Sequence, residues 1–381
     1  MQNKSPEQAL NEYREKIDEL DQELVKILAA RQKITAKVGA VKRANSQAIY
    51  VPEREASMIA SRRAQAEALD LSGDLVEDVL RRMMRDSYYS QHANYSKINA
   101  NIHKVVVVGG EGALGKLLVN LFANSDYHTL SLDKDAWAKR ASILADADLV
   151  IMAVPINLTN DLIKQLPSLP DNCVLADVTS IKKEPLEAML NVHAGPVVGL
   201  HPMFGPDAPG MIKQVVVVCE GRYPDKYQWL IEQMTVWGAQ IYQTNADKHD
   251  NAMAFIQVMR HFNTFVYGQH LAQENPELSE LIAFSSPIYR LEFAMVGRLF
   301  AQAPALYADI IFNNRANVDL LERFHLRFGE ALNLLKHNEK SSFIEAFEDV
   351  QAWFGDYAKT CLKDSKQMLL KADDGQLLRN K

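Results

Sequence analysis

Three glycines and one acidic residue have the types and spacing of a dinucleotide-binding site. Gly110, Gly112 and Gly115 form the pattern G-x-G-x-x-G between a run of valines and an apolar, helix-like stretch. In such a turn the first glycine makes the tight bend, the second lets the backbone approach a pyrophosphate, and the third lets the helix pack on the strand. Asp133 follows about 20 residues on, where an acid binds the ribose. The pattern predicts phosphate binding at a helix N-terminus.

A histidine near the end of a later strand offers a base for the same site. His201 stands in the glycine- and proline-rich stretch 199–206, which we expect to be a rigid loop just past a strand. Ligands of open α/β sheets bind at the carboxyl ends of the strands, and hydride transfer from an alcohol needs a proton acceptor there. We therefore favour His201 as the general base, acting with an apparent pKa around 6.5. His193 is a weaker candidate.

Apolar stretches separated by helical ones must position these groups. Residues 104–109 include four successive valines, which is typical of a strand buried on both faces. The alternation predicts an α/β doubly wound (Rossmann) dinucleotide-binding domain at residues 102–246. The expected strands are 104–109, 128–132, 149–154, 173–177, 197–200 and 215–219. The expected cofactor-binding residues are Gly110, Gly112, Ala113, Leu114, Gly115, Asp133, Val154 and Pro155.

An all-α segment, residues 1–93, precedes the sheet. Its apolar residues recur at spacings of three and four from Leu10 to Val41, which predicts one helix of about 50 Å. No helix of equal length follows in the segment, so we expect the stripe to pack against a second subunit. Arg31 occupies a position of this stripe, and a buried charge needs a partner. It is either at the edge of a coiled coil or in an anion site inside a helical bundle.

The composition of the chain narrows the class of protein to which it can belong. The 381 residues carry a net charge of −6, so nucleic acid is not an expected partner. Three isolated cysteines without metal-ligand spacing predict buried thiols, a reducing compartment and no metal site. The apolar runs are too short to span a membrane, and the polar N-terminus lacks a signal-type core. We therefore expect a cytoplasmic protein.

The helical segment resembles the all-helical chorismate mutases. The resemblance rests on the runs 13–18, 30–31, 38–42 and 52–55. It implies an intertwined homodimer that rearranges chorismate to prephenate. This rearrangement is pericyclic, and cations that bind the two carboxylates can promote it by positioning the substrate. The implied catalytic residues are Arg31, Lys42, Glu55 and Gln91, and the implied substrate-binding residues are Arg14, Arg54 and Ser87, with Arg14 reaching the partner's site.

The rest of the chain resembles the prephenate dehydrogenases, through the runs 177–182, 200–206 and 285–292. The order of the two modules resembles the bifunctional chorismate mutase/prephenate dehydrogenases of tyrosine biosynthesis. That family implies NAD as cofactor, His201 as catalytic residue, tyrosine as inhibitor, and an all-α C-terminal dimerisation domain, placed at residues 247–372. The implied substrate-binding residues are Ser180, Lys182, His261 and Arg298. Arg298 shares a helical stripe with Leu291 and Met295.

Two other readings use the same residues. One is a nucleotide-sensing regulatory protein that dimerises through an N-terminal coiled coil and has no catalytic activity. Arg31 in the apolar stripe and the stretch around His201 argue against it. The other keeps an NAD-dependent dehydrogenase and treats the helical segment as an inert dimerisation element.

Overall fold

The computed structural model describes residues 5–45, 47–89, 95–205, 208, 210–313 and 316–374. Contacts divide the chain into two compact units. The first comprises Met1–Val154 and Leu158–His249, and the second comprises Pro155–Asn157 and Asp250–Lys381. Gln91 and Pro206, which the sequence analysis used, lie outside the described residues.

Three helices open the first unit: α1 (Pro6–Ala44), α2 (Pro52–Glu67) and α3 (Gly73–Tyr89). The long first helix begins with a capping box, in which the Ser5 hydroxyl accepts from the Gln8 N–H while the Gln8 side chain accepts from the Ser5 N–H. The second begins with a proline at its first position, which the fixed φ of proline favours. The predicted all-helical segment is therefore confirmed.

Most of the apolar stripe of α1 faces solvent in the single chain. The side chains of Tyr13, Ile17 and Leu20 are between 56% and 64% exposed, and Gly39 is the buried residue of this helix. Exposed apolar area on this scale marks an interaction surface rather than a solvated helix face.

The described residues of the first unit form a seven-stranded sheet in the order β2-β1-β3-β4-β5-β6-β7. Neighbouring strands are parallel except for β5 and β6, which are antiparallel. The strands are β1 (Lys104–Val108), β2 (His128–Leu132), β3 (Leu149–Met152), β4 (Val174–Asp177), β5 (Val197–Pro202), β6 (Val215–Arg222) and β7 (Gln240–Thr244). The last of them was not expected from the sequence, because its half-polar, largely exposed residues do not carry the buried-strand pattern.

The valine run of β1 separates two layers of core. Val105 and Val107 pack on one face of the sheet, and Val106 and Val108 pack on the other. All four are 0–2% exposed, because helices cover both faces. The connecting helices are α4 (Ala113–Ala123), α5 (Arg140–Leu144), α6 (Ile156–Lys164), α7 (Lys183–Val192), α8 (Pro224–Val236) and α9 (Ala246–Met253), with a 3-10 turn at Lys134–Lys139. The doubly wound fold is confirmed.

The second unit is helical. A π-helical turn (Ala254–Met259) leads into α10 (Arg260–Glu274), α11 (Leu278–Ala283), α12 (Pro287–Phe300), α13 (Pro304–Phe312), α14 (Ala316–Lys336), α15 (Lys340–Phe354) and α16 (Tyr357–Asp374). A Cβ on Gly268 would lie 2.2 Å from the Phe300 ring, so this glycine lets α10 and α12 pack closely. Phe347 and Trp353 are 64% and 80% exposed on α15. The predicted all-α C-terminal part is confirmed.

Two of the three cysteines are buried as expected, but Cys361 is exposed on α16. None of the helices in the described part of the chain is long and apolar enough to cross a membrane.

Candidate active sites

The glycine turn after β1 is built by close backbone packing. Gly109 has a φ of +84°, and a Cβ there would lie 2.4 Å from the carbonyl oxygen of Ala153. The left-handed bend therefore belongs to Gly109 and not, as expected, to Gly110. A Cβ on Gly115 would lie 2.1 Å from the carbonyl oxygen of Gly109, so the third glycine does let α4 approach β1. Only the doublet of glycines at 109–110 could have indicated this shift from the sequence.

The N-terminus of α4 is open. Gly112 is its N-cap, with no side-chain capping bond, and Ala113 at the first position is exposed while Leu114 is half-buried. The first N–H groups of a helix have no intrahelical acceptor, and the helix dipole favours an anion beside them. This end of the helix therefore has the chemistry that a phosphate group requires.

Asp133 follows β2 and lies beside this turn. Its Oδ1 accepts the backbone N–H of Glu111 at 3.2 Å, and its Oδ2 accepts the hydroxyl of Ser131. The side chain is half-buried. An acid fixed next to the glycine turn is correctly placed to accept hydrogen bonds from a ribose. Val154 follows β3 and is half-buried, and Pro155 follows it in the sequence and is exposed.

His201 lies within β5, although the sequence placed it in a loop beyond the strand. It is 3% exposed, and its Nδ1 is 2.8 Å from Nε2 of His249, a second buried histidine on α9. Burial lowers the pKa of His201 well below its ordinary value, and the nearby charge of Lys182 and the His249 ring lower it further. The expected apparent pKa around 6.5 is therefore too high for this environment.

Lys182 is fully buried close to His201. Its side chain has no exposed surface, and its Nζ donates to Oδ2 of Asp177 and, at 2.7 Å, to the carbonyl oxygen of Leu200. Through the Leu200 carbonyl, Lys182 holds the backbone of β5 one residue before His201. Ser180, which lies between Asp177 and Lys182 in the sequence, is half-buried.

His193, the weaker catalytic candidate, is buried against the backbone. Its Nε2 lies 2.7 Å from the carbonyl oxygen of Cys173, and it is 4% exposed. In the second unit, His261 is buried on α10 with its ring edge-on to Tyr307, and burial together with the Arg260 charge lowers its pKa to about 4. Arg298 is exposed on α12, as are Leu291 and Met295, so their stripe is uncovered in the single chain.

A cavity of about 330 Å³ lies among the N-terminal helices. Five of the polar residues named from the sequence line it: Arg31, Lys42, Arg54, Glu55 and Ser87. Arg14 lies outside the lining, exposed near the start of α1. Arg31 is half-buried and lines this cavity, as the predicted anion site inside a helical bundle requires.

Contacts inside this cavity hold the cations in place. Nη1 of Arg31 donates to the Ser87 hydroxyl at 3.2 Å. Lys42 donates to the carbonyl oxygens of Ala48 and Ile49 at 3.1 and 2.7 Å, and burial, then the Arg54 charge, lowers its pKa. Four cationic side chains line this cavity, Arg62 being the fourth, and such a set favours a ligand with more than one carboxylate.

Glu55 is the acidic residue of the cavity lining and is 7% exposed. It accepts from Arg81 and Lys213 at Oε1 and from the Tyr88 hydroxyl at Oε2. Neither these three partners nor His249 was predicted from the sequence as a site residue. No local signal marks them, because each meets its partner only through the fold.

Within the described residues, no group of three or more histidine, cysteine, aspartate or glutamate side chains is arranged to hold a metal ion.

Three family models match the chain in succession. Chorismate mutase type II matches residues 13–92, the prephenate dehydrogenase nucleotide-binding domain matches residues 123–230, and the prephenate dehydrogenase dimerization domain matches residues 245–349. The second match begins after the glycine turn, so the assignment of a phosphate-binding turn is supported by the geometry of residues 109–115 and not by this match.

Two curated relatives are similar over nearly their whole length. The T-protein of Enterobacter agglomerans is 51% identical over 96% of this chain and 99% of the relative. The T-protein of Haemophilus influenzae is 50% identical over 96% of this chain and 98% of the relative. Among solved structures, a prephenate dehydrogenase from A. aeolicus in complex with hydroxyphenyl propionate and NAD+ has a TM-score of 0.53 at 16% identity, over 67% of this chain and 98% of the other. At that identity the likeness concerns the fold alone.

Proposed function

The chain belongs to the T-protein family, and on that premise we propose which of its residues carry out each reaction of a bifunctional enzyme of tyrosine biosynthesis. It is a chorismate mutase and a prephenate dehydrogenase in one polypeptide. The first activity turns chorismate into prephenate. The second oxidises prephenate with loss of CO2 to give 4-hydroxyphenylpyruvate. We propose domain bounds of 1–93, 102–246 and 247–372 for the mutase, nucleotide-binding and C-terminal parts.

For the mutase, the observation that supports the site is the cavity with Arg31, Lys42 and Arg54 in its lining. The rearrangement breaks one bond and forms another within a single molecule, so no nucleophile or base is needed. The cations hold the two carboxylates in the reactive conformer and stabilise negative charge on the departing ether oxygen. Ser87 adds a hydroxyl beside Arg31, and we assign Lys42, Glu55 and Gln91 to the region of the reacting bond. Arg14 is assigned to the site of the partner chain.

For the dehydrogenase, three features support a dinucleotide: the glycine turn, the open N-terminus of α4 and Asp133. A Cβ at Gly115 would push the helix away from the turn, so only glycine allows this close packing. We propose NAD+ rather than NADP+, since Asp133 would repel a 2′-phosphate. When bound, NAD+ takes up the hydride. The assigned cofactor contacts are Gly110, Gly112, Ala113, Leu114, Gly115, Asp133, Val154 and Pro155.

The chain's own contribution to that step is a proton acceptor. We assign His201 to the ring hydroxyl of prephenate, with proton transfer at Nε2, the nitrogen opposite the one that meets His249. Its lowered pKa keeps the imidazole neutral at pH 7, which is the form that accepts a proton. Loss of CO2 then makes the ring aromatic. We assign Ser180, His261 and Arg298 to substrate binding, with Arg298 on a carboxylate.

We also propose a homodimer, supported by the exposed stripe of α1 and by the match of the C-terminal helices to a dimerization domain. A cytoplasmic location and inhibition by tyrosine, acting at or near the dehydrogenase site, complete the proposal.

The test is to assay both activities on one purified chain. Chorismate disappearance and NADH formation from prephenate are followed separately by absorbance. The proposal expects both activities to co-elute with the protein. Dehydrogenase activity without chorismate turnover would favour the inert helical segment, and absence of both would favour the regulatory protein.

A further inference from the structure

A lysine of the nucleotide-binding domain contacts Glu55, a residue that lines the mutase cavity. Lys213 lies between β5 and β6, and its Nζ is 2.5 Å from Oε1 of Glu55 on α2. Both residues belong to the first compact unit. The contact therefore joins the helical segment to the sheet domain through a charged residue that faces the candidate mutase site.

The backbone of Lys213 is fixed in an unusual conformation. Its φ is +62°, the left-handed region that a side chain with a Cβ rarely adopts. Its N–H donates to the carbonyl oxygen of Gly238 at 2.9 Å, and the next residue, Gln214, donates to Met211 at 2.9 Å. A strained residue that is held by its surroundings points its side chain in a defined direction.

Two aromatic rings enclose the Lys213 ammonium on its way to Glu55. Nζ lies 4.9 Å from the ring centroid of Tyr50 and 5.6 Å from that of Tyr88, distances at which a cation is attracted to a ring face. Those two rings meet edge-on at 6.1 Å. Tyr88 also donates to Oε2 of Glu55 at 2.9 Å. The lysine and the phenol thus fix the two oxygens of the same carboxylate.

Glu55 depends on these donors because its side chain is only 6% exposed. A buried carboxylate without partners is strongly disfavoured. Arg81 also donates to Oε1, at 3.2 Å, but Arg81 is shared with Glu77, which accepts its Nε at 2.8 Å. Lys213 is the closer of the two cations on Glu55.

From this arrangement we propose that Lys213, supplied by the nucleotide-binding domain, is a positioning residue of the chorismate mutase site and acts by fixing the carboxylate of Glu55. The inference rests on the proposed role of Glu55. It means that the mutase site is completed by the dehydrogenase half of the chain, so the second domain contributes to the first reaction.

The test compares Lys213→Met with Lys213→Arg in the full-length enzyme. Methionine keeps most of the side-chain volume but removes the charge, and arginine restores a donor. We expect Lys213→Met to lower mutase kcat about 10- to 100-fold, as misplacement of a catalytic group does. The KM for chorismate should change less than kcat, because the cations that bind the carboxylates remain. Lys213→Arg should recover most of the loss.

Two controls separate positioning from folding. Lys226 is an exposed lysine at the start of α8, so Lys226→Met removes an equal charge from the same domain without touching Glu55. It should leave both activities unchanged. The dehydrogenase activity of Lys213→Met should also persist, which shows that the variant folds.

A double-mutant cycle with Glu55→Gln decides whether Lys213 acts through Glu55. In the Glu55→Gln background, Lys213→Met should add less than about threefold to the loss, because its target is already altered. Additive losses would overturn the proposal, as would a Lys213→Met enzyme with normal mutase kcat. If Glu55→Gln itself keeps full mutase activity, the proposed function of Glu55 fails, and the proposal for Lys213 fails with it for that separate reason.

Discussion

Replacing His201 by asparagine tests the dehydrogenase site most directly. Asparagine keeps a hydrogen-bonding side chain of similar size but cannot accept a proton at neutral pH. The dehydrogenase should lose kcat while NAD+ binding stays nearly intact, because the glycine turn and Asp133 are untouched. Mutase activity should survive, since that cavity is lined by the N-terminal helices.

The magnitude follows from the environment of His201. Loss of a general base typically costs about 10²–10⁴-fold, and a base is most effective when its pKa lies near the working pH. Burial lowers the pKa of His201 well below that range. We therefore expect a loss in the lower part of the interval, about 10²–10³-fold, which corresponds to about 3–4 kcal/mol of activation free energy.

The dependence of the dehydrogenase rate on pH should also reflect the lowered pKa of His201. The neutral imidazole is the active form, and the lowered pKa keeps it neutral down to pH values below 6.5. The dehydrogenase rate should be flat from about pH 6.5 to 8 and fall only on the acid side of this range. The unfolded chain binds a proton at about pH 6.5, before the folded one does, so His201 also makes the fold less stable as the pH drops below that value.

His193→Asn is the matched control. It replaces another buried histidine of the same domain, whose ring contacts only the Cys173 carbonyl among the described hydrogen bonds. NADH formation from prephenate and loss of chorismate absorbance are measured for both variants, with circular dichroism to check folding. The reasoning is refuted if His201→Asn keeps normal dehydrogenase kcat, if it loses both activities equally in a folded dimer, or if His193→Asn loses as much kcat.

Four further predictions address the other parts of the molecule. Arg31→Ala should abolish chorismate turnover with helix content unchanged, as seen by circular dichroism, because alanine suits a helix interior; an unfolded protein would make Arg31 structural. Asp133→Asn should reduce the ratio of kcat/KM for NAD+ to kcat/KM for NADP+ by at least about tenfold. A wild-type enzyme with equal kcat/KM for the two cofactors would contradict the assignment. Ile17→Glu, on the exposed stripe of α1, should weaken the dimer in sedimentation, whereas an active monomeric wild type would refute that interface. Finally, the pKa of His261 is lowered from 6.5 to about 4, so this residue alone should lower the free energy of unfolding by on the order of 3 kcal/mol between those pH values. Denaturant titrations should show a smaller loss of stability over this pH range for His261→Gln.

Local pattern determined much of this protein. The four valines of β1 are apolar at every position, and only a strand covered on both faces buries such a run. The three- and four-residue spacing of α1 and the prolines at the starts of α2 and α12 likewise specify helices from neighbouring residues alone. The glycine turn, Asp133 and Arg31 were predicted from such local patterns, whereas the other mutase residues were predicted from the resemblance to the chorismate mutases.

Only the tertiary structure decided which partner each charged group meets. Lys182 belongs to the run 177–182, and only the fold shows that its ammonium contacts Asp177 and the Leu200 carbonyl in β5. The pairing of His201 with His249, and of Glu55 with Lys213, joins residues far apart in the chain. The left-handed bend lies at Gly109 rather than Gly110, beside the carbonyl oxygen of Ala153, which follows β3. Periodicity records which face of an element is apolar, but it carries no information about which distant side chain will lie opposite that face.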